Sequence, residues 1–378
     1  MIDDFSGLWL GRVWLPDVQG PAVVTLRDGQ VVDITAKGAA TVSAICEKDD
    51  PAGFVRTAPG RDIGLLDEIT AARPDDKSTI HFLAPCDLQA IKACGVTFAR
   101  SMVERVIEER AGGDPARAES IRARIGAAIG NSLRNIRAGS EEASRVKEAL
   151  IAEGMWSQYL EVGIGPDAEV FSKAQVLSSV GTGAEIGLHP VSRWNNPEPE
   201  IVLAVNSRGN IVGATLGNDV NLRDVEGRSA LLLSKAKDNN ASAAIGPMIR
   251  LFDWDFTLDH VRCAELTLTV EGSDGFVLNG HSSMSQISRD PEELVNQTIG
   301  RHHQYPDGFI LYLGTLFAPT QDRDVRGEGF THKIGDIVTI HSPGLGALRN
   351  KVQYSTECLP WTFGLSALMS NLAARRLI

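Results

Sequence analysis

Short apolar runs alternate with turn residues over the first 84 positions. Residues 7–15 (Gly-Leu-Trp-Leu-Gly-Arg-Val-Trp-Leu), 22–26 (Ala-Val-Val-Thr-Leu) and 30–34 (Gln-Val-Val-Asp-Ile) each read as a strand. Arg27-Asp-Gly-Gln between the second and third runs is a two-residue hairpin signal. The pattern predicts a small β-rich N-terminal domain over 1–84. From 101 the period changes. Ser101-Met-Val-Glu-Arg-Val-Ile-Glu-Glu-Arg reads as helix, and Asp114-Pro115 as an N-cap followed by a first-turn proline. Ile121, Ile125, Ile129, Leu133 and Ile136 recur at spacings of three or four and form one apolar stripe. With a further helix over 141–152, this predicts a helical insert of about 101–153, read as a packing or subunit-contact element. Short strands and Gly-rich turns return from 155 to about 345, with helices expected over 222–237 and 291–301. The regular strand–helix alternation of a doubly wound sheet is missing. The expected fold class is therefore α+β, mainly β, with the catalytic domain over 85–378.

Composition narrows the partners. The chain has 378 residues, 43% apolar and 22% charged, with a net charge of −11. That charge argues against a nucleic-acid surface. It leaves room for a small anionic substrate in a local basic pocket. No apolar run approaches the ~20 residues of a membrane span, and Met1-Ile-Asp-Asp-Phe lacks the features of a secretory signal. A cytoplasmic protein with no membrane partner is expected. Cys46, Cys86, Cys94, Cys263 and Cys358 are an odd number without a CxxC pair, and read as reduced thiols, mostly buried as small hydrophobes.

The sharpest chemistry lies in Asn196-Pro-Glu-Pro-Glu-Ile-Val-Leu-Ala-Val205. In an extended chain, positions i and i+2 share a face, so Glu198 and Glu200 project side by side. Pro199 donates no hydrogen bond, which places the stretch at a strand edge or start. Two adjacent carboxylates raise each other's pKa unless a cation sits between them, and a hard divalent ion suits such oxygen ligands. A hairpin over 202–216, turning at 207–210, would bring Asp219 alongside as a third ligand. Taken alone, the spacing also fits a solvated, charged strand edge.

Five segments in order make the whole resemble the fumarylacetoacetate hydrolase superfamily across roughly 85–345. They are Phe171-Ser-Lys173, Glu198-Pro-Glu200, Gly217-Asn-Asp-Val-Asn-Leu-Arg-Asp224, Lys237 ahead of Ile245-Gly-Pro247, and Leu313-Gly-Thr315. The resemblance implies a mixed β-roll catalytic domain and a metal held by Glu198, Glu200 and Asp219, namely Mg²⁺ with Mn²⁺ or Ca²⁺ as alternatives. It also implies assembly as a homodimer or homotetramer. Hydrolytic members carry a histidine and a glutamate that activate water. Here Ser101 stands in place of the histidine and Glu104 remains. A hydroxyl is no comparable general base. Gly95-Val-Thr-Phe98, the insert, residues 162–171 and Trp194-Asn-Asn-Pro-Glu-Pro-Glu200 look most like the sugar-acid branch, the 2-keto-3-deoxy-pentonate dehydratases of xylonate or arabinonate pathways.

That resemblance implies dehydration of a 2-keto-3-deoxy-pentonate to 2,5-dioxopentanoate through a metal-stabilised enolate. The runner-up is a hydrolase that cleaves a C–C bond of a 2,4-dioxo acid. An oxaloacetate-type decarboxylase and a non-catalytic sugar-acid binder are further readings. Lys237 is the expected proton-transfer or enolate-steadying group, with its pKa lowered by a neighbouring metal. Glu104 is the expected partner of the leaving hydroxyl. Lys173, Thr315, Ser101 and Arg289 are expected to touch substrate. His302-His303 lacks a third soft ligand at a usable spacing and reads as polar surface. Gly181-Thr-Gly-Ala lacks the lysine of a phosphate loop.

Overall fold

The computed structural model describes residues 2, 6–123, 136–315, 317 and 319–378. Ile125, Ile129 and Leu133 of the expected apolar stripe lie outside the described residues. Sixteen strands fall in two sheets. They are β1 (Trp9–Leu15), β2 (Gly20–Arg27), β3 (Gln30–Asp33), β4 (Arg61–Leu65), β5 (His81–Leu83), β6 (Ala90–Gly95), β7 (Glu169–Ala174) and β8 (Glu185–Leu188). There follow β9 (Pro199–Val205), β10 (Ile211–Asp219), β11 (Ala243–Leu251), β12 (Glu265–Glu271), β13 (Val277–Ser283), β14 (Phe309–Tyr312), β15 (Ile337–Ser342) and β16 (Gly346–Tyr354). The large sheet runs β4-β3-β2-β1-β11-β10-β9-β14-β6-β7, with β5 also pairing β1. The small sheet runs β13-β12-β15-β16-β8. Pairing is antiparallel except for β14 with β6 and β16 with β8. The class is α+β and mainly β, as the pattern of short strands predicts.

The large sheet is buried on both faces at its centre, which is why β9 reads as a continuous apolar run. Ile201, Leu203 and Val205 join a core that also holds Leu266, Leu268, Val338 and Val352 of the small sheet. Val202 and Ala204 face the opposite way, into a core with Val42, Ile45 and Val55. Period-2 alternation thus splits one strand between two cores. Pro199 starts β9, as expected. The strand is not at an edge, however, because β10 and β14 flank it.

The expected hairpin 27–30 forms, with Asp28 and Gly29 both at positive φ (49° and 78°), as a type I′ turn requires. The N-terminal strands join the large sheet directly, since Trp9 and Leu10 of β1 pair with Arg250 and Ile249 of β11. One expected helix differs. The stretch 222–237 is broken into Arg223–Glu226, a 3₁₀ turn Ala230–Leu232 and Leu233–Lys237. Gly227 ends the first piece, and the Ser229 hydroxyl caps the second by accepting from Leu231 N at 3.2 Å. The expected 291–301 helix is Pro291–Thr298, capped by Asp290. The insert contributes Ala99–Ala111, Pro115–Ile121 and Glu141–Ala152. No helix among the described residues is long and apolar enough to cross a membrane. Cys46, Cys86, Cys94 and Cys358 are buried and Cys263 is exposed; none forms a disulfide.

Gly217, on β10 directly opposite Glu200, admits no side chain. A Cβ there would run into the Tyr312 ring and a methyl of Val202. Gly217→Ala is expected to lower stability by about 1–3 kcal/mol through overpacking. A urea titration showing no change in midpoint would contradict this.

Candidate metal and active site

Two adjacent strands build the centre. Glu198 precedes β9, Glu200 lies within it, and Asp219 ends β10. The register places Gly217 across from Glu200 and Asn218 across from Pro199. Asp219 N then donates to Glu198 O at 3.1 Å, while the Asn218 side chain accepts from Glu198 N at 3.1 Å. This pinning brings ligand atoms of all three buried carboxylates within 4.8 Å of one another. The hairpin reading from sequence therefore holds in three dimensions.

Three cations surround the triad. Lys237 Nζ, at the end of Leu233–Lys237, donates to Glu198 Oε2 at 2.6 Å and Asp219 Oδ2 at 3.1 Å. Lys173 Nζ lies 2.9 Å from Asp219 Oδ1. Arg105 Nη2 donates to Glu198 Oε1 at 2.6 Å. Among the described residues Glu200 forms no salt bridge, and it accepts from Gly314 N at 2.6 Å. Burial, and then the charges of Asp219 and Glu198, hold its pKa well above the ordinary carboxylate range. Burial also presses Asp219 upward, but Lys173 and Lys237 outweigh it and keep that group low.

Without a bound metal, Lys237 is strongly paired. Burial alone would lower its pKa, yet Asp219 and Glu198 hold it above the ordinary lysine value. Its Nζ sits among the carboxylates as their counter-charge.

The cavity in front of the triad is also lined by Ser101, Arg105, Glu169, Phe171, Glu226 and Thr315. Ser101 and Thr315 line this cavity. The Ser101 hydroxyl donates to Phe98 O at 2.9 Å, and the Thr315 hydroxyl accepts from Phe317 N at 3.0 Å. Glu169, on β7, is raised by burial. Glu226 is raised to about 7 by burial, against the pull of Arg105. Five carboxylates (Glu169, Glu198, Glu200, Asp219, Glu226) thus meet three cations (Arg105, Lys173, Lys237). The hard oxygen donors of the triad fit a divalent cation.

Three expected site residues are elsewhere. Glu104 turns away from the cavity, because on this helix Ser101 and Arg105 share one face while Glu104 and Glu108 share the next. Glu104 takes Nε and Nη2 of Arg122 at 3.0 and 2.7 Å, and Arg223 Nη2 at 3.5 Å. Lys173 is fully buried behind Asp219, with the carbonyls of Lys237 and Val220 and the Ser242 hydroxyl as further partners. It supports a ligand and has no face on the cavity. Arg289 is a buried clamp. It donates to Glu293 at 2.8 Å and to the carbonyls of Val162 and Gly165 at 3.0 and 2.6 Å, which lie at the C-terminal end of the helix Gln158–Ile164. Arg289→Lys is expected to cost about 1–3 kcal/mol of stability, because a lysine cannot reach this fan of acceptors. Its KM is expected to match the unaltered protein, and a raised KM at unchanged stability would restore a substrate role.

Sequence reasoning missed Arg105, Glu169 and Glu226. The insert does more than pack: through Arg105 it reaches a carboxylate of the triad. The signal for Arg105 was its i+4 spacing from Ser101, which puts both on one helix face.

A family model described as the C-terminal domain of fumarylacetoacetate (FAA) hydrolase matches residues 124–353. A probable 2-keto-3-deoxyxylonate dehydratase of Haloferax volcanii is 33% identical over 198 residues, 52% of this chain and 64% of the relative. A 2-dehydro-3-deoxy-D-arabinonate dehydratase of Saccharolobus solfataricus is 31% identical over 185 residues, 49% of this chain and 58% of the relative. The chain thus spans less than two thirds of the length of these curated relatives. A solved 2-keto-3-deoxy-D-arabinonate dehydratase, complexed with magnesium and 2,5-dioxopentanoate, superposes with a TM-score of 0.63. It is 21% identical, with 92% of this chain and 99% of that one covered, a likeness of fold.

Proposed function

Because this chain belongs to the fumarylacetoacetate hydrolase family, we propose that it is a hydro-lyase converting a 2-keto-3-deoxy-pentonate to 2,5-dioxopentanoate and water. The observation that carries the proposal is the buried Glu198–Glu200–Asp219 triad bridged by Lys237. Both curated relatives are named as dehydratases of such sugar acids, and the solved relative carries magnesium and the dioxo product. Glu198, Glu200 and Asp219 would hold the cation, Mg²⁺. When bound, it supplies Lewis-acid polarisation of the substrate's 2-oxo and carboxylate oxygens.

The residues of the chain divide the remaining work. Lys237, protonated between Glu198 and Asp219, steadies negative charge growing on the 2-oxo oxygen as C3 loses its proton. Glu169, raised by burial, is the base that takes this proton. The C3–H electron pair forms the C3=C4 bond as the C4–O bond breaks. Proton shifts then turn the C5 hydroxymethyl into the aldehyde with no further loss of atoms. Thr315 binds the substrate carboxylate through its hydroxyl, and Ser101 replaces the water-activating histidine of the hydrolases.

The division into a smaller unit, 1–84, and a catalytic unit, 85–378, belongs to the same proposal, as do a cytoplasmic location and a homodimeric or homotetrameric assembly. The deciding experiment offers a panel of 2-keto-3-deoxy acids and 2,4-dioxo acids with Mg²⁺ and reads products by mass. Loss of water from a pentonate is expected. Release of pyruvate from a dioxo acid would make the protein a C–C hydrolase instead.

A further inference from the structure

Glu226 ends the short helix Arg223–Glu226 that follows the Asp219 segment. It is 4% exposed and lines the cavity. Its Oε2 lies 3.0 Å from Arg105 Nη1 yet accepts no hydrogen bond. Nη1 also donates to Glu108 Oε2 at 2.7 Å, and Nη2 donates to Glu198 Oε1 at 2.6 Å. A buried carboxyl oxygen without a hydrogen-bond partner is costly. On a cavity wall it calls for a ligand group that can share a proton with it. Ser101 does not serve, since its hydroxyl proton goes to Phe98 O. Glu104, the residue expected at the leaving hydroxyl, is locked to Arg122 away from the cavity.

We propose that Glu226 is the catalytic residue at the hydroxyl end of the substrate, hydrogen-bonding the C4 hydroxyl and giving it a proton as the C4–O bond breaks. The inference rests on the dehydratase reading and assigns the group that reading leaves open. The balance closes. The C3 proton goes to Glu169, the C3–H pair forms the new C3=C4 bond, and the C4–O pair departs with the oxygen. That oxygen takes the Glu226 proton and leaves as water. Arg105 is the positioning residue: its Nη1, 3.0 Å from Oε2, holds the Glu226 carboxyl at the cavity wall, and the carboxyl enters the step protonated. The same arrangement selects substrates bearing a hydroxyl two carbons from the 2-oxo group, because any other ligand leaves Oε2 unsatisfied.

The test separates proton removal at C3 from departure of the hydroxyl. In D2O with Mg²⁺, 2-oxobutanoate has exchangeable C3 protons and no hydroxyl, and its deuteration is followed by NMR. Glu226→Gln is expected to slow water loss from the 2-keto-3-deoxy-pentonate by about 100-fold or more. Exchange of 2-oxobutanoate should fall far less than water loss, and a Mg²⁺-dependent rise in melting temperature shows that the variant is folded and binds metal. Glu226→Asp, which keeps a carboxyl, should recover part of the water loss. An equal fall of exchange and water loss would overturn the proposal, because Glu226 would then act at C3 or only in the fold. Unchanged water loss in Glu226→Gln would overturn it too. If the unaltered protein exchanges 2-oxobutanoate but dehydrates no pentonate, the dehydratase reading itself fails, and this assignment goes with it.

Discussion

Glu200→Gln is expected to abolish metal-dependent turnover while the protein stays folded. Glutamine preserves the shape and can still accept from Gly314 N. What disappears is the third negative charge. Loss of a supporting partner of a metal ligand typically costs 10–100-fold in affinity or activity, so loss of a ligand should exceed about 10³-fold in turnover. Stability carries an independent signature. Glu200 is buried beside two like charges, and its raised pKa records that repulsion. In chelator, the variant should therefore melt no lower than the unaltered protein. Mg²⁺ at about 100 times its Kd should stabilise the unaltered protein by about 2.7 kcal/mol and the variant hardly at all. Calorimetric scans with and without Mg²⁺ check both. Full turnover in the variant, or an undiminished Mg²⁺ shift, would remove the metal assignment.

Lys237→Met should be nearly as damaging and should differ in sign on metal affinity. The ammonium bridges Glu198 Oε2 and Asp219 Oδ2, both oxygens of the proposed ligands. It competes there with a cation, so methionine should tighten Mg²⁺ binding. Without metal, the variant leaves buried carboxylates uncompensated, and its stability should fall by about 3–5 kcal/mol. Mg²⁺ should restore most of that loss. Turnover should nonetheless drop by about 10²–10³-fold even at saturating Mg²⁺, the cost of removing one preorganised donor from growing negative charge. Titration calorimetry and kcat at saturating metal separate these effects. Weaker Mg²⁺ binding in the variant would mean that Lys237 supports the ligands instead of competing for them.

The triad was readable because its information is local. Period-2 geometry sets Glu198 beside Glu200, and one hairpin supplies Asp219. The strand 201–205 was equally plain, since burial on both faces leaves an unbroken apolar run. Glu226 and Glu169 were not, because each reaches the cavity through packing between elements distant in sequence. Arg105 sits on a helix rich in charge, where spacing shows which residues share a face but not which face meets the triad. Glu104 failed for that reason: one step around the helix turned it toward Arg122. The break in 222–237 hangs on Gly227 and the Ser229 cap, signals that the apolar run Ala230-Leu-Leu-Leu233 masks; Leu231 is 95% exposed. The pairing of β1 with β11 joins residues 9–10 to 249–250, and no local pattern encodes it.

That last pairing has a consequence for the order in which the protein can be made. Synthesis delivers β1 first, but its neighbour β11 emerges only after residue 243, and β14, which flanks the carboxylate strand, only after 309. The Trp9–Leu10 end of β1 must therefore stay unpaired on that side until residues 249–250 have been made. Such non-local pairing slows folding and exposes sticky edges. The Glu198 strand can find both of its neighbours only once residues 309–312 have emerged, whether or not metal is present.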